Sequence, residues 1–131
     1  MKHLVFTYGS LKKGFHNHDF LEDAKFVKAT KTTASYHMFS LGSFPAITDA
    51  RPTYPIQGEV YEVDDATLKE LDRLEGEGRF YKKRKIPVIG VSQKVWCYFI
   101  LDPKRYDRDI KAIGRGVHVD DNKKLMTWTK N

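Results

Sequence analysis

The segment Ile56–Gly76, IQGEVYEVDDATLKELDRLEG, decides the architecture because it joins a strand pattern directly to a helix pattern. Apolar and small residues largely alternate with polar ones over Ile56–Val63, which is typical of a β-strand with one buried face. Asp64–Asp65 then supplies a helix N-cap, and Gly76 supplies a residue that readily ends a helix in the left-handed conformation. We therefore predict a strand over 56–63, followed by a helix that ends at about Glu75.

Five further segments carry the β-branched and aromatic residues that favour strands. They are His3–Tyr8, Phe26–Thr33, Ser35–Leu41, Arg79–Val88 and Gln93–Leu101. The last of these segments is apolar at consecutive positions, so we expect both of its faces to be buried. It is accordingly predicted to be the central strand of the sheet.

The segments between these patterns are less regular. We expect Asn17 to cap a short helix directly after it, Gly42–Pro45 to be a loop, and the chain from about residue 120 to be a polar tail. Arg105–Ile113 fits either a second helix or irregular structure. Together the patterns predict a single strand-dominated α+β domain over residues 1–131, with one clear helix and a closed or half-closed barrel.

The composition is that of a globular protein, with 40% hydrophobic and 31% charged residues. No apolar run approaches the roughly 18 residues of a membrane span, and the stretch in Met1–Phe6 is too short for a signal peptide. We therefore expect no membrane association and a cytoplasmic location. The net charge is +6, but Lys82–Lys85 and the C-terminal lysines supply much of the excess. Such clusters are typical of solvated faces, so we expect no nucleic-acid partner.

Glu75 breaks the pattern of the predicted helix. At about 100° per residue it falls between Leu68 and Leu71 on the apolar stripe, and not with the charged residues on the opposite side. Burial and the negative end of the helix dipole both disfavour the ionised carboxylate. We therefore expect the pKa of Glu75 to be raised towards neutrality, where a carboxyl can both accept and donate a proton. The alternative is a glutamate at a frayed helix end, paired with Arg73 or Arg79.

A second candidate site is the turn Tyr8–Leu11, which reads YGSL and follows the first predicted strand. Successive backbone N–H groups around Gly9 and Ser10 have little side-chain cover, and such rows of amides bind small anions, including carboxylates. Lys12 and Lys13 are expected to add positive potential nearby. The sequence leaves open the alternative of an ordinary tight turn.

Other catalytic chemistries find little support in the sequence. His16 and His18 lack the spaced partners that would complete a metal site. Ser10 lacks the G-x-S-x-G elbow of a serine hydrolase. Cys97, the one cysteine, excludes a disulfide framework and a multi-cysteine metal cage, and we expect it to pack as a small apolar residue. We therefore predict neither a metal site nor a cofactor.

Several motifs occur in order and at fitting spacings between about residues 4 and 101. They are FTYGSLKKG (6–14), Asn17-His18, GEVY (58–61), LDRLEG (71–76) and Tyr81. In combination they resemble the γ-glutamylcyclotransferase-like superfamily, which includes γ-glutamylcyclotransferases, γ-glutamylamine cyclotransferases and plant avirulence-induced relatives. The LKKG stretch followed by Asn17-His18 is most similar to the γ-glutamylamine subgroup, which releases 5-oxoproline from amides of the γ-glutamyl-ε-lysine type.

The resemblance implies a small mixed β-barrel with few helices, and an active site in which the YGSL loop faces a glutamate on a helix. The residues that would bind the substrate are Tyr8, Gly9, Ser10, Leu11 and Tyr81, with Glu75 as the proton acceptor. Tyr8 to Leu11 would hold the α-carboxylate and amine region of the substrate, and Tyr81 would line the pocket.

This sequence departs from the family at one position after the glutamate. Where the family often has Tyr-x-Arg, Lys83 stands in the arginine position and Arg84 follows. Glu77 is a second carboxylate close to Glu75 in the sequence. Because Gly76 ends the helix before Glu77, the helix projection favours Glu75.

The implied reaction needs one proton-transferring group. The α-amine of a γ-glutamyl amide attacks its own side-chain carbonyl, closes the 5-oxoproline ring and releases the amine, so proximity is largely built into the substrate. Glu75 would take a proton from the ammonium and pass one to the leaving amine. We expect a small γ-glutamyl substrate as the partner, and a monomer. The alternative is a non-catalytic module that binds a small acidic ligand or a protein on the same scaffold.

Overall fold

The computed structural model describes residues 1–129 and confirms the α+β class. The strands are β1 (Lys2–Thr7), β2 (Lys25–Lys31), β3 (His37–Ser40), β4 (Pro45–Thr48), β5 (Gln57–Asp64), β6 (Tyr81–Ile86), β7 (Val95–Ile100), β8 (Val117–Asp120) and β9 (Leu125–Trp128). The α-helices are α1 (Asp65–Glu75) and α2 (Asp107–Ala112), and short 3₁₀ helices lie at His18–Leu21 and Pro103–Tyr106. None of the helices in the described range is long and apolar enough to cross a membrane.

Five strands form the main sheet, in the order β2-β5-β1-β7-β6. Strand β1 lies in the centre, antiparallel to β5 and parallel to β7, so the prediction that the segment around β7 is central is wrong. Both faces of β7 are nevertheless buried, since Val95, Cys97 and Phe99 join one hydrophobic cluster and Tyr98 and Ile100 join another. An apolar run indicates that both faces of a strand are buried. In β7 both faces are buried although the strand lies next to the edge strand β6.

The sheet does not close into a barrel within residues 1–129. Its edge strands β2 and β6 are not paired along their lengths, and the chain makes an isolated bridge between Thr32 and Val88 just beyond their ends. Two separate ribbons, β3-β4 and β8-β9, lie beside the sheet. The barrel that the resemblance implied is therefore an open sheet with flanking ribbons, and the word describes the fold only loosely.

The segment from about residue 120 was expected to be a polar tail, but its part up to Trp128 belongs to the β8-β9 hairpin, and residues 130–131 lie outside the described residues. Met126 and Trp128 are buried, and the Met126 N–H donates a hydrogen bond to the Pro55 carbonyl (2.9 Å). These two side chains stand among lysines, aspartates and threonines, so the local composition is that of a tail. The residues that bury them are distant in the sequence, so the local composition wrongly predicted a tail.

Three smaller expectations can also be compared with the structure. Pro45 begins β4, so the expected loop Gly42–Pro45 ends one residue earlier. Asn17 precedes a 3₁₀ helix but makes no side-chain cap to it. The alternatives for Arg105–Ile113 are resolved in favour of a helix, α2, over Asp107–Ala112.

Helix α1 forms as its end signals predict. The Asp64 carboxylate accepts the Thr67 N–H (2.8 Å), and Gly76 ends the helix with a φ of 63°. Leu71 is fully buried and packs into the cluster that covers one face of the sheet. The Gly76 carbonyl then accepts the Phe80 N–H (2.8 Å), which turns the chain back into β6. This turn brings the C-terminal end of α1 close to the loop that follows β1.

Candidate active site

A cavity opens between the loop that follows β1 and the C-terminal end of α1. Its volume is about 230 Å³, slightly below the range of roughly 300–1,000 Å³ that is typical of sites for drug-sized ligands. All the residues predicted for the site lie in its lining, namely Tyr8, Gly9, Ser10, Leu11, Glu75 and Tyr81. The fold therefore brings two segments that are more than sixty residues apart into one cavity.

The loop Tyr8–Leu11 has a shape that exposes backbone N–H groups. The Gly9 carbonyl accepts the Lys12 N–H (3.1 Å) and the Ser10 carbonyl accepts the Asn17 N–H (3.0 Å), while the Asn17 side chain donates to the Ser10 hydroxyl (2.9 Å). Among residues 1–129, no acceptor is paired with the N–H of Gly9, Ser10 or Leu11. Because the carbonyls of Gly9 and Ser10 are occupied and the three N–H groups are not, the loop is suited to an anion.

Gly9 is required because the ring of Pro45 lies close to the backbone of the loop. A Cβ at this position would lie 2.8 Å from Cγ of Pro45, at the start of β4. Any larger residue would push the loop away from β4. The Pro45 carbonyl also accepts the hydroxyl of Tyr81 (2.7 Å), so β4, β6 and the loop hold one another in place around the cavity.

Glu75 is the last residue of α1, and it is partly buried in the cavity wall. Burial raises the pKa of Glu75 from its ordinary value of 4.5 to about 7. Within the described part of the chain, its carboxyl has no hydrogen-bond or ion-pair partner, and Arg73 contacts Glu70 instead (3.5 Å). The alternative pairing with Arg73 or Arg79 is therefore not formed, and the carboxyl is available to a ligand.

Three tyrosines shape the cavity next to Glu75. The Tyr8 hydroxyl donates to the Tyr98 carbonyl (2.7 Å), the Tyr81 hydroxyl to the Pro45 carbonyl (2.7 Å) and the Tyr98 hydroxyl to the Asp72 carboxylate (2.6 Å). Burial raises the pKa of all three tyrosines above the ordinary value, so they stay protonated at neutral pH. Since each proton already has an acceptor in the protein, these hydroxyls hold the cavity wall in place.

Asp72 lies one helical turn before Glu75 and is held by two neighbours. Its carboxylate binds Nζ of Lys83 (2.8 Å) in addition to the Tyr98 hydroxyl. The Lys83 ammonium also lies over the ring of Trp96, 4.8 Å from its centroid. Lys83, which stands where the family often has arginine, therefore compensates the charge of Asp72 beside the cavity.

Two charged residues near the motifs in sequence do not line the cavity. Glu77 accepts the Lys83 N–H (3.2 Å) on the side of β6, as its position after the helix end suggests. Lys12 was expected to add positive potential at the loop. It is buried instead, where its ammonium donates to the Trp128 carbonyl (3.0 Å) and burial lowers its pKa. Lys12 is therefore committed to a contact with β9, and its expected contribution of positive potential at the loop stays a prediction.

The other nucleophile and metal candidates lie outside the cavity chemistry. Cys97 is fully buried in β7, and burial raises the pKa of its thiol, which removes the thiolate needed for attack. The ring of His18 is hydrogen-bonded to the Leu11 carbonyl (2.9 Å). In the range that the structure describes, no group of three or more His, Cys, Asp or Glu side chains is placed to hold a metal.

Among the lining residues to which the sequence gave no role at the site are His16, Leu74, Phe80 and Tyr98. Leu74 and Phe80 are the chain neighbours of Glu75 and Tyr81, so adjacency was a usable signal for both. Tyr98 gave no local signal, because its position depends on the β6-β7 register, in which it pairs with Lys83.

Comparison with known proteins assigns the fold and the motifs to a family. Residues 5–117 match the family described as "Gamma-glutamyl cyclotransferase, AIG2-like". A "Putative gamma-glutamylcyclotransferase" of Methanocaldococcus jannaschii is 41% identical over 99 residues, which cover 72% of this chain and 82% of that protein. The γ-glutamylcyclotransferase family protein YtfP of Escherichia coli is 34% identical over 94 residues, which cover 72% and 80%.

Solved structures lead to the same family. A mouse AIG2-like protein superimposes with a TM-score of 0.70 at 27% identity, over 79% of this chain and 81% of that one. The solution structure of E. coli ytfP gives a TM-score of 0.58 at 30% identity, over 78% and 86%. The chain belongs to the AIG2-like γ-glutamylcyclotransferase family, and the resemblance inferred from its motifs is confirmed.

Proposed function

We propose that the protein converts a γ-glutamyl amide into 5-oxoproline and a free amine, as a γ-glutamylcyclotransferase. The observation that carries the proposal is the pairing of two unsatisfied groups in one cavity. One is the row of N–H groups at Gly9, Ser10 and Leu11, and the other is the carboxyl of Glu75 with its pKa of about 7. Family membership and the names of the relatives support the same reaction class.

The substrate's α-carboxylate binds to the loop amides in this proposal. That contact places the α-amine and the γ-carbonyl of the glutamyl group near Glu75. Folding the substrate into this pose makes the attack intramolecular, and correct positioning of this kind can contribute up to roughly 7–11 kcal/mol to lowering a barrier. The loop thus provides orientation, and Glu75 provides proton transfer.

Glu75 transfers protons from the attacking nitrogen to the leaving nitrogen. The carboxylate first takes a proton from the α-ammonium, and the neutral amine attacks the γ-carbonyl carbon to form the ring C–N bond. The carboxylic acid then donates its proton to the departing nitrogen as the original amide C–N bond breaks. The regenerated carboxylate takes the second proton from the ring nitrogen, which leaves the neutral lactam N–H of 5-oxoproline, and passes it to the released amine, which departs as an ammonium ion. A pKa near 7 suits both steps, because each protonation state is well populated at neutral pH.

The proposed substrate class is the γ-glutamylamines, and this choice follows the LKKG and Asn17-His18 motifs. The test compares the release of 5-oxoproline from γ-glutamyl-ε-lysine, γ-glutamyl-alanine and glutathione. It distinguishes activity on γ-glutamylamines from activity on γ-glutamyl amino acids and on glutathione. Release from γ-glutamyl-ε-lysine above the other two is the expected result. Binding of 5-oxoproline with no turnover of any compound would instead favour the non-catalytic binding module.

Glu75→Gln tests the assignment of the proton carrier. The variant keeps the size and hydrogen-bonding shape of the side chain but cannot accept a proton, so kcat should fall by roughly 10²- to 10⁴-fold. Glu77→Gln is the matched control, since Glu77 does not line the cavity, and it should retain most of the activity. Near wild-type 5-oxoproline release by a folded Glu75→Gln protein would show that the assignment is wrong.

A further inference from the structure

The loop that is suited to an anion is followed directly by a lysine whose charged group lies inside the protein. Lys12 is 7% exposed, and its N–H donates to the Gly9 carbonyl (3.1 Å), so it belongs to the same turn as the loop Tyr8–Leu11. Its ammonium donates to the Trp128 carbonyl in β9 (3.0 Å) and lies over the ring of Phe15, 4.9 Å from the centroid. An ammonium is costly to bury, so a lysine here is a poor choice for stability alone.

The hairpin β8-β9, which accepts this hydrogen bond, is itself attached close to the loop. The Met126 N–H donates to the Pro55 carbonyl (2.9 Å), shortly before β5 begins. Strand β5 pairs along β1, whose last residue, Thr7, directly precedes the loop. The hydrogen bond between Lys12 and Trp128 therefore joins the end of the loop to an element that is bound to the neighbouring strand.

This contact lies behind the cavity and does not touch its interior. Neither Lys12 nor any residue of β9 belongs to the lining, and the family match ends at Val117, where β8 begins. The contact can therefore act on the reaction only through the position of the loop. A row of backbone N–H groups binds an anion only while the loop keeps the conformation that points them at it. A loop that is already held in that conformation loses less entropy on binding.

From this arrangement we infer that Lys12 is a positioning residue, which ties the loop Tyr8–Leu11 to the hairpin β8-β9 and thereby holds the loop in its anion-binding conformation. This inference rests on the proposed function and adds a residue and a hairpin to it. The tie acts on binding of the α-carboxylate, whereas proton transfer belongs to Glu75 on α1. Loss of the tie should therefore raise KM and leave kcat unchanged.

Lys12→Met tests the tie. Methionine keeps an apolar stem beside Phe15 but cannot donate to the Trp128 carbonyl. Because a hydrogen bond from a charged group is lost, KM for a γ-glutamyl amide and Kd for 5-oxoproline, which carries the same carboxylate, should each rise by about 10-fold. The value of kcat should stay within about 2-fold of the wild type. A mere loss of folded protein would lower kcat instead, so the split between KM and kcat distinguishes positioning from stability.

Lys13→Met is the matched control for charge. The Lys13 side chain is exposed, and the variant keeps the backbone N–H that donates to the Glu59 carboxylate (2.9 Å). This substitution removes the same positive charge one residue away without breaking the contact with β9. Because an exposed charge is screened by solvent and salt, KM should change by less than about 3-fold. Equal increases of KM in the two variants would assign the effect to charge and overturn the inference.

Hydrogen exchange of the wild-type protein gives a second test that needs no variant. If the loop and the hairpin are tied, a ligand that orders the loop must also order the hairpin, because coupling between two regions is reciprocal. Saturation with 5-oxoproline should therefore slow exchange of the Met126 N–H in β9 by at least about 3-fold. Slower exchange in the loop with no change at Met126 would overturn the inference, even if Lys12→Met did not fold.

The outcomes separate this inference from the proposed function. If the wild type neither releases 5-oxoproline from any γ-glutamyl amide nor binds 5-oxoproline, the proposed function fails and the inference fails with it. If the wild type is active and a folded Lys12→Met protein keeps the wild-type KM, the proposed function stands and the inference is overturned.

Discussion

The C-terminal end of α1 presents carboxylates to two different surroundings. On the side of β6, Asp72 and Glu77 are both tied to Lys83, through an ion pair at 2.8 Å and through the backbone N–H at 3.2 Å. On the side of the cavity, Glu75 has no such partner within residues 1–129, and burial raises its pKa to about 7. All three carboxylates are partly buried, so the difference lies in pairing. Asp72 and Glu77 therefore serve as structural contacts to β6, whereas the carboxyl of Glu75 stays available to a ligand in the cavity.

The largest expected effect that tests this comparison is on stability as a function of pH. The pKa of Glu75 is about 7 in the folded protein against an ordinary 4.5, so folding favours the protonated form. The contribution of Glu75 to the free energy of unfolding is therefore highest below about pH 4.5, falls as pH rises to about 7 and stays low above it, by roughly 3 kcal/mol in total. Glu75→Gln, which cannot ionise, should be more stable than wild type by up to that amount at pH 8 and equal to it at pH 4.

Urea unfolding at a series of pH values measures this difference directly. Glu77→Gln serves as the control, because the amide oxygen of the new side chain can still accept the Lys83 N–H, and it should show no gain of stability at pH 8. A Glu75→Gln protein that is less stable than wild type at pH 8 would contradict the idea that Glu75 is buried without a partner.

The features of α1 that the sequence predicted depend on residues close together in the sequence, and those it missed depend on distant ones. The Asp64 cap, the end at Gly76 and the position of Glu75 on the apolar stripe are all set within one helix, and the structure agrees with each. The role of Lys83 was not visible, because its contact with Asp72 depends on how α1 packs against β6. Patterns within one segment predict the structure of that segment, whereas contacts between elements can be seen only once the elements are packed together.

The same limit explains the errors in the rest of the chain. The apolar run of β7 correctly indicated burial on both faces, but strand order is set by pairing with β1 and β6, which no single segment encodes. The β8-β9 hairpin was missed because Met126 and Trp128 are buried by residues far away in the sequence. Phe80 packs against Phe44 in the cavity lining, and this contact between residues 36 positions apart is not encoded in either segment alone.

A smaller effect is expected from removing the compensating cation. Lys83→Met leaves Asp72 without its ion pair, and the loss of a hydrogen bond between charged groups should cost about 2 kcal/mol of the free energy of unfolding. The uncompensated Asp72 charge, one turn from Glu75, should also disfavour ionisation of Glu75. The acid limb of the kcat/KM profile should therefore move to higher pH, by about 0.5 to 1 pH unit.

Lys83→Arg separates charge from packing in that experiment. Arginine keeps the positive charge and the contact with Trp96, so its pH profile should remain close to that of the wild type. If Lys83→Met and Lys83→Arg shift the profile equally, the effect comes from a change of shape near β6, and the electrostatic link between Asp72 and Glu75 is absent.

The smallest expected effect comes from an exposed ion pair on the same helix. Arg73 and Glu70 are 3.5 Å apart, with side chains that are 78% and 55% exposed, and exposed pairs of this kind contribute less than about 0.5 kcal/mol. Arg73→Ala should therefore leave thermal unfolding and the acid limb of kcat/KM nearly unchanged. A clear shift of that limb would mean that Arg73 reaches the Glu75 carboxyl in solution. Glu75 would then belong with the paired carboxylates, and the contrast between the two sides of α1 would no longer hold.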